Sequence, residues 1–140
     1  ETFDISELIE EIILKYENDK IEKKIKKKTY FNGRKNLITR CINNLLDNSV
    51  KYAKKISVNI EKKDSIILLS IDDDGPGVDK SEFQNITKPF YKIDKSRSDS
   101  KSSVGLGLSI SSDIIKSHGG DIKFDKSKLG GLKVIISLPY

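Results

Sequence analysis

The sequence predicts a two-layer α+β fold in which a mixed, mostly antiparallel sheet is covered on one face by helices. Three observations favour it: a long segment with helical apolar spacing, a pair of alternating strands, and two further strands near the C-terminus. At 140 residues, with 36% hydrophobic and 34% charged residues, the chain is expected to form one domain over residues 1–140.

The first thirty residues predict a helix followed by a strand. The helix is expected from Ser6 to Tyr16, with Asp4 or Ser6 as its cap. The lysine-rich segment Lys20–Tyr30 is expected to form an edge strand, since lysines on an edge oppose aggregation. Asn32-Gly33 predicts a turn.

The segment from Lys35 to Lys54 has the most regular helical pattern in the chain. Its apolar stripe consists of Leu37, Ile38, Cys41, Ile42, Leu45, Leu46, Ser49, Val50 and Ala53. Because Cys41 is the one cysteine and lies on this stripe, we expect a buried, unreactive thiol.

Strands and turns dominate the rest. Alternating Ile56, Val58 and Ile60 predict one strand and Ser65–Asp72 a second, with a hairpin turn at Lys62–Ser65. The remaining expected elements are a helical turn near Asp79–Gln84, an aperiodic loop from Ile86 to Val104, a helix from Gly105 to about Ser117 ended by His118-Gly-Gly120, and strands around Asp121–Phe124 and Leu132–Leu138 with Gly130-Gly131 between them.

The charge pattern bears on partners. The net charge of +5 comes mostly from lysines, and few aromatic residues interleave with them, so a solvated surface is favoured over a nucleic-acid surface.

The longest apolar run, Ile66–Leu69, is too short to span a bilayer. The chain starts without methionine, so we expect a piece of a longer protein whose membrane anchor, if present, lies elsewhere.

A polar face on the long helix is the first candidate for chemistry. Asn44, Asn48 and Lys51 follow each other at i, i+4 and i+7. An asparagine oxygen suits Mg²⁺, a lysine can neutralise phosphate, and the adjacent Tyr52 could pack against a base. Taken alone, an ordinary solvated helix face explains these residues better.

The segment Asp73-x-Gly75-x-Gly77 ends a strand, where glycines allow a ligand to approach the backbone closely. A carboxylate there can accept the exocyclic amine of adenine, whereas guanine presents an acceptor. A bare tight turn is the alternative. A calcium loop is excluded because its template places Ser70 at the first ligand and Ser81 where a bidentate glutamate is required.

Gly105-Leu-Gly107-Leu is expected to open a helix, whose free N–H groups and dipole form an anion site. The loop before it carries several cations that could fold over a polyphosphate. No Gly-x-x-x-x-Gly-Lys-Ser/Thr loop is present, so that route to ATP is excluded.

Together these motifs resemble the catalytic and ATP-binding domain of sensor histidine kinases, in the superfamily of gyrase, the MutL repair protein and a heat-shock chaperone. The resemblance covers Thr2 to Tyr140 and implies the Bergerat-type ATP-binding fold, with ATP and Mg²⁺ as cofactors. It makes Asn48 the magnesium ligand, Asp73 the adenine acceptor and Arg97 a phosphate contact. The implied ATP-binding residues are Asn44, Asn48, Lys51, Tyr52, Asp73, Gly75, Gly77, Phe90, Tyr91, Lys92, Ile93, Arg97, Val104, Gly105, Leu106, Gly107 and Leu108.

The resemblance also implies function. Hydrolysing relatives carry a glutamate base where Asn44 stands, so γ-phosphate is expected to be kept for transfer. The acceptor would be a histidine on a dimerisation hairpin absent from this chain, which then serves a response regulator. The sole histidine, His118, is expected to be structural, so the chain should not phosphorylate itself. The parent is expected to be a homodimeric bacterial inner-membrane sensor with this domain in the cytoplasm.

One departure from the family pattern concerns Ser102-Ser103-Val104, where Gly-Gly-Thr or Gly-Ser-Thr is usual. Two alternatives therefore stay open. One is a protein-serine kinase of the anti-sigma-factor type, and the other is a nucleotide-binding module without transfer activity.

Overall fold

A computed structural model describes residues 1–16, 21–26, 28–88 and 102–140, and for 102–106 it describes the backbone alone. The helices are α1 (Ile5–Leu14), α2 (Lys35–Tyr52) and α3 (Ser102–Ser117), with a 3₁₀ turn at Lys80–Glu82. The strands are β1 (Thr2–Asp4), β2 (Ile21–Ile25), β3 (Tyr30–Asn32), β4 (Ile56–Lys63), β5 (Ile66–Asp73), β6 (Asp121–Lys126) and β7 (Leu132–Pro139).

Five strands form the main sheet in the order β2-β4-β5-β7-β6. The β2–β4 pair is parallel and the other three pairs are antiparallel. The predicted two-layer fold with a mixed, mostly antiparallel sheet is therefore confirmed. The lysine-rich β2 lies at one edge, as predicted, and its Lys23 forms an exposed ion pair with Glu10 at 3.9 Å.

The core lies between the sheet and the helices because one face of each central strand is apolar. On β4, Ile56, Val58 and Ile60 are buried while the residues between them are more accessible. The same alternation runs along β5 and β7. Leu46 of α2 is fully buried against this layer. Each such side chain stabilises the fold by about 1.5–3 kcal/mol.

The N-terminal region differs from the prediction in the bounds of its helix and in one additional sheet. The first helix spans Ile5–Leu14 instead of Ser6–Tyr16. Of the two predicted caps, Asp4 is the one observed, and it accepts the N–H groups of Ser6 and Glu7. A second, two-stranded sheet of β1 and β3 was not predicted. It brings Phe3 and Phe31 edge to face at 6.0 Å. Strands of three residues are too short for an alternating pattern to reveal them.

Helix α3 begins at Ser102, three residues before the predicted start at Gly105. Its end agrees with the prediction: the N–H of Gly120 donates to the carbonyl of Ile115, and Gly119 has a φ of +77°. Helix α2 ends at Tyr52, two residues earlier than predicted.

Candidate functional site

Asp73 lies at the end of β5, and its side chain is held from three sides. It is 8% exposed. Its Oδ1 accepts the backbone N–H of Gly75 at 3.0 Å and that of Leu132 at 3.1 Å. Its Oδ2 accepts the hydroxyl of Ser49 at a longer 3.4 Å. A carboxylate oxygen has about two acceptor positions, so Oδ1 is fully used and Oδ2 can accept one more donor.

The glycines predicted to surround Asp73 are needed for close approach. A Cβ on Gly75 would lie 3.2 Å from Asp73 Oδ1 and 3.2 Å from the carbonyl oxygen of Tyr52. Gly77 has a φ of +71°, which L side chains rarely adopt. A Cβ on Gly77 would lie 3.5 Å from Gly131. The first glycine segment is therefore packed between the end of α2 and the β6–β7 turn.

The predicted polar face of α2 is present, but it is not an ordinary solvated face. Asn44 and Asn48 are half-buried, and Lys51 is exposed. The Oδ1 atom of Asn48 is buried and accepts no hydrogen bond from any residue that the structure describes. Leaving a buried acceptor unsatisfied costs about 1–3 kcal/mol. The half-buried Tyr52 completes this face, with its ring centroid 5.9 Å from Lys51 Nζ.

Magnesium is the metal that the resemblance implies, and the donor atoms fit it. Among the described residues, no cluster of three or more His, Cys, Asp or Glu side chains could hold an ion. One neutral amide oxygen is available at Asn48. Magnesium characteristically takes few protein ligands and keeps water and substrate phosphate oxygens in its shell, so this sparse donor set suits it.

The start of α3 lies against the same face of α2. A Cβ on Gly107 would lie 3.8 Å from Asn44 Cβ, an ordinary contact, so the two helices are close there. Because α3 begins at Ser102, its first four N–H groups belong to Ser102–Gly105, and Gly107 lies beyond them. The prediction that the helix opens with the glycines was wrong, although the glycines lie in its first two turns.

The other predicted site residues divide into three groups. Leu108 is 2% exposed and belongs to the apolar core. Val104, Gly105 and Leu106 lie within α3, where only the backbone is described. A third group lies outside the described residues and stays a prediction: Phe90, Tyr91, Lys92, Ile93 and Arg97.

Sequence reasoning missed the groups that hold Asp73. Ser49 lies on the predicted apolar stripe of α2, but its hydroxyl faces the carboxylate. A small polar residue at a buried stripe position was the available signal. The amide of Leu132 carried no signal, since a backbone donor has no residue-type signature.

Asp74 supports the site from the next position along the chain. Its Oδ1 accepts the N–H groups of Lys54 at 2.7 Å and Lys55 at 2.9 Å. These bonds, that from Lys55 first, lower the pKa of the Asp74 carboxyl. They tie the chain after α2 to the end of β5, next to Asp73.

Cys41 is buried, as predicted, and His118 makes hydrogen bonds that join two parts of the backbone. Cys41 is fully buried, and desolvation raises the pKa of its thiol to about 11. Its carbonyl accepts the hydroxyl of Ser111, which links α2 to α3. His118 Nε2 accepts the N–H of Arg34 at 3.0 Å, and Nδ1 lies 2.8 Å from the carbonyl oxygen of Ile114.

Comparison with known proteins decides the family. A family model described as histidine kinase-, DNA gyrase B- and HSP90-like ATPase matches residues 33–140, which include the α2 face, Asp73 and α3. The chain belongs to this family. It is the ATP-binding catalytic domain of a sensor histidine kinase, because its curated relatives are such kinases.

Two relatives illustrate the likeness. The sensor histidine kinase GtrS of Pseudomonas aeruginosa is 36% identical over 107 residues, covering 76% of this chain and 22% of GtrS. The sensor histidine kinase CpxA of Escherichia coli is 36% identical over 108 residues, covering 76% of this chain and 24% of CpxA. The chain thus spans less than a quarter of these relatives.

A solved structure supports the fold. The mycobacterial sensor histidine kinase MprB superposes with a TM-score of 0.84 at 24% identity, covering 99% of this chain and 96% of that structure. The curated relatives GtrS and CpxA favour the histidine-kinase interpretation over the serine-kinase alternative. In the part of the chain that the structure describes, no helix is long and apolar enough to cross a bilayer.

Proposed function

We propose that the domain recognises the adenine of ATP through Asp73 and donates the γ-phosphoryl group to a histidine on a separate helical hairpin. The observation that carries this proposal is the hydrogen bonding of the two Asp73 carboxylate oxygens. Oδ1 is used by two backbone donors, whereas among the described residues Oδ2 has only the long contact with Ser49. The exocyclic amine at C6 of adenine would supply a further donor to Oδ2. Guanine would place a carbonyl oxygen against Oδ2, which is repulsive.

Asn48 is proposed to hold the magnesium ion of Mg-ATP through its buried Oδ1. When bound, the ion would neutralise charge at the phosphates. Lys51, exposed one turn further along α2, would add positive charge to the phosphate end. Arg97 is proposed as a further phosphate contact on the resemblance alone.

In the transfer step, a ring nitrogen of the acceptor histidine would form a bond to the γ-phosphorus while the bond to the β–γ bridging oxygen breaks. ADP leaves, and the ring proton passes to solvent or a neighbouring base. The acceptor would belong to the dimerisation hairpin of the parent protein, and a response regulator would receive the phosphoryl group next. On the resemblance alone, Asn44 stands where hydrolysing members carry a glutamate base, and this would favour transfer over hydrolysis. We place the domain in the cytoplasm of a bacterium, within a membrane-bound homodimeric sensor.

Base recognition is tested by titrating ATP and GTP, with Mg²⁺, into wild type and Asp73→Ala. A hydrogen bond to a charged group contributes about 1.5–3 kcal/mol, so Asp73→Ala should weaken ATP binding roughly 10–150-fold. Its GTP affinity should change far less. Asp113→Ala is the matched control, because Asp113 is an exposed aspartate on α3 outside the site. If wild type binds both nucleotides with equal affinity, Asp73 does not recognise the base.

Transfer is tested with γ-labelled ATP and an added helical hairpin from a relative. Acid-labile label should appear on the hairpin and not on this chain. Binding of ATP without any label on several hairpins would favour the non-transferring alternative.

A further inference from the structure

Two adjacent aspartates of β5 hold the same turn from opposite faces of the sheet. Side chains alternate along a strand, so Asp72 and Asp73 point to different sides. Asp73 faces the site, while Asp72 Oδ2 accepts the hydroxyl of Ser127 at 2.7 Å on the other side. Asp72 and Ser127 are each 7% exposed. A short hydrogen bond to a buried carboxylate belongs to the stronger class.

Ser127 organises the turn that joins β6 to β7. Its N–H donates to the carbonyl of Gly131 at 2.8 Å, and its own carbonyl accepts the N–H of Gly130 at 3.0 Å. Its hydroxyl oxygen also accepts the N–H of Leu129 at 3.1 Å. The same hydroxyl therefore closes the turn and attaches it to Asp72.

The far end of this turn contacts Asp73. The N–H of Gly131 donates to the Asp73 carbonyl at 3.0 Å, and the N–H of Leu132 donates to Asp73 Oδ1. A Cβ on Gly131 would lie 2.2 Å from Oδ1, so the turn and the carboxylate are in direct contact with no free space between them. A displacement of the turn must therefore displace or rotate the carboxylate.

We infer that Ser127 and Asp72 are positioning residues for base recognition, although neither lies on the nucleotide side of the sheet. They hold the Leu132 amide on Oδ1, which keeps Oδ2 directed at the base. Misplacement of a recognising group by about 1 Å can cost most of its contribution. The inference rests on the proposed role of Asp73.

The test compares ATP and GTP dissociation constants for Ser127→Ala, Asp72→Ala and Asp72→Asn. Losing one hydrogen bond that positions the carboxylate should reduce the preference for ATP about two- to tenfold in both alanine variants. Asp72→Asn keeps an acceptor for the Ser127 hydroxyl and should retain the preference. Ser70→Ala is the matched control, because Ser70 lies on the same strand and face and makes no side-chain hydrogen bond with a described residue.

The preference is the decisive readout, because a purely structural defect lowers the affinities for ATP and GTP together. Adding Ser127→Ala to Asp73→Ala should not weaken ATP binding further if Ser127 acts through Asp73. The affinities are measured under conditions in which circular dichroism shows that each variant is folded. If Ser127→Ala does not fold, Ser127→Cys provides a weaker donor of similar size and the same comparison.

The outcomes separate this inference from the proposed function. If Asp73→Ala keeps the wild-type preference for ATP, Asp73 does not recognise the base and both ideas fail. If Asp73→Ala loses the preference but folded Ser127 and Asp72 variants keep it, the proposed function stands and the positioning role is wrong.

Discussion

Removal of the His118 ring should destabilise the domain without abolishing ATP binding. The ring satisfies two backbone groups: Nε2 accepts the N–H of Arg34, and Nδ1 donates to the carbonyl of Ile114. It also packs on Phe31, with ring centroids 5.8 Å apart. Two hydrogen bonds at about 0.5–1.5 kcal/mol each, with a ring contact of similar worth, predict a loss of roughly 2–4 kcal/mol in His118→Ala.

Urea unfolding followed by circular dichroism measures this loss, with Lys116→Ala as the control, since Lys116 is exposed on the same helix end. ATP affinity should fall much less than stability, because His118 lies 13 residues beyond Gly105, about 20 Å along a helix at 1.5 Å per residue. Both ring nitrogens are engaged, so labelled ATP should leave the chain unlabelled. A variant of wild-type stability, or label on His118, would refute this account.

Two further predictions concern α2. Asn48→Ala should weaken Mg-ATP binding sharply in a folded protein, because it removes a buried oxygen that no described residue hydrogen-bonds. Unchanged affinity by titration calorimetry would exclude Asn48 as a magnesium ligand. The second concerns Cys41, whose thiol pKa is raised from 9.0 to about 11 by burial. Between these values the unfolded thiol ionises while the folded one stays neutral, so stability falls as pH rises from 9 to 11. Two pKa units correspond to about 2.7 kcal/mol. Cys41→Ala should lack this contribution, and native Cys41 should resist alkylation at pH 8; equal pH profiles for both proteins would contradict it.

Periodicity predicted the larger elements because burial acts on every turn of a long helix and on alternate residues of a strand. It could not predict where they end. Helix α2 stops at Tyr52 because the N–H groups of Lys54 and Lys55 donate to Asp74 instead of continuing the helix. That partner lies about twenty residues away in sequence, and no local pattern reveals it.

The site, too, has features that the sequence predicted and features that it did not. The resemblance predicted Asn48 and Asp73 as site residues from their residue types and the order of the motifs. Both lie at the end of the domain where α2, α3 and the β6–β7 turn meet. The hydrogen bonds that orient Asp73 come from backbone amides and from Ser49. The residue type of Ser49 does not show whether its side chain is a hydrogen-bond donor to the site or part of the core. The partially buried state of Asn48 also contradicted the solvated face that its helical position suggested.

The sequence by itself determined the family, the two-layer fold, the long amphipathic helix and the buried state of Cys41, because these depend on composition, spacing and the order of motifs. Only the tertiary structure decided which oxygen of Asp73 remains available, that Asp72 and Ser127 hold the turn behind it, and that both nitrogens of His118 are used. Each of these depends on hydrogen bonds between residues distant in sequence. Such bonds form only after the hydrophobic core has brought the strands and helices together, so their geometry is a property of the folded chain.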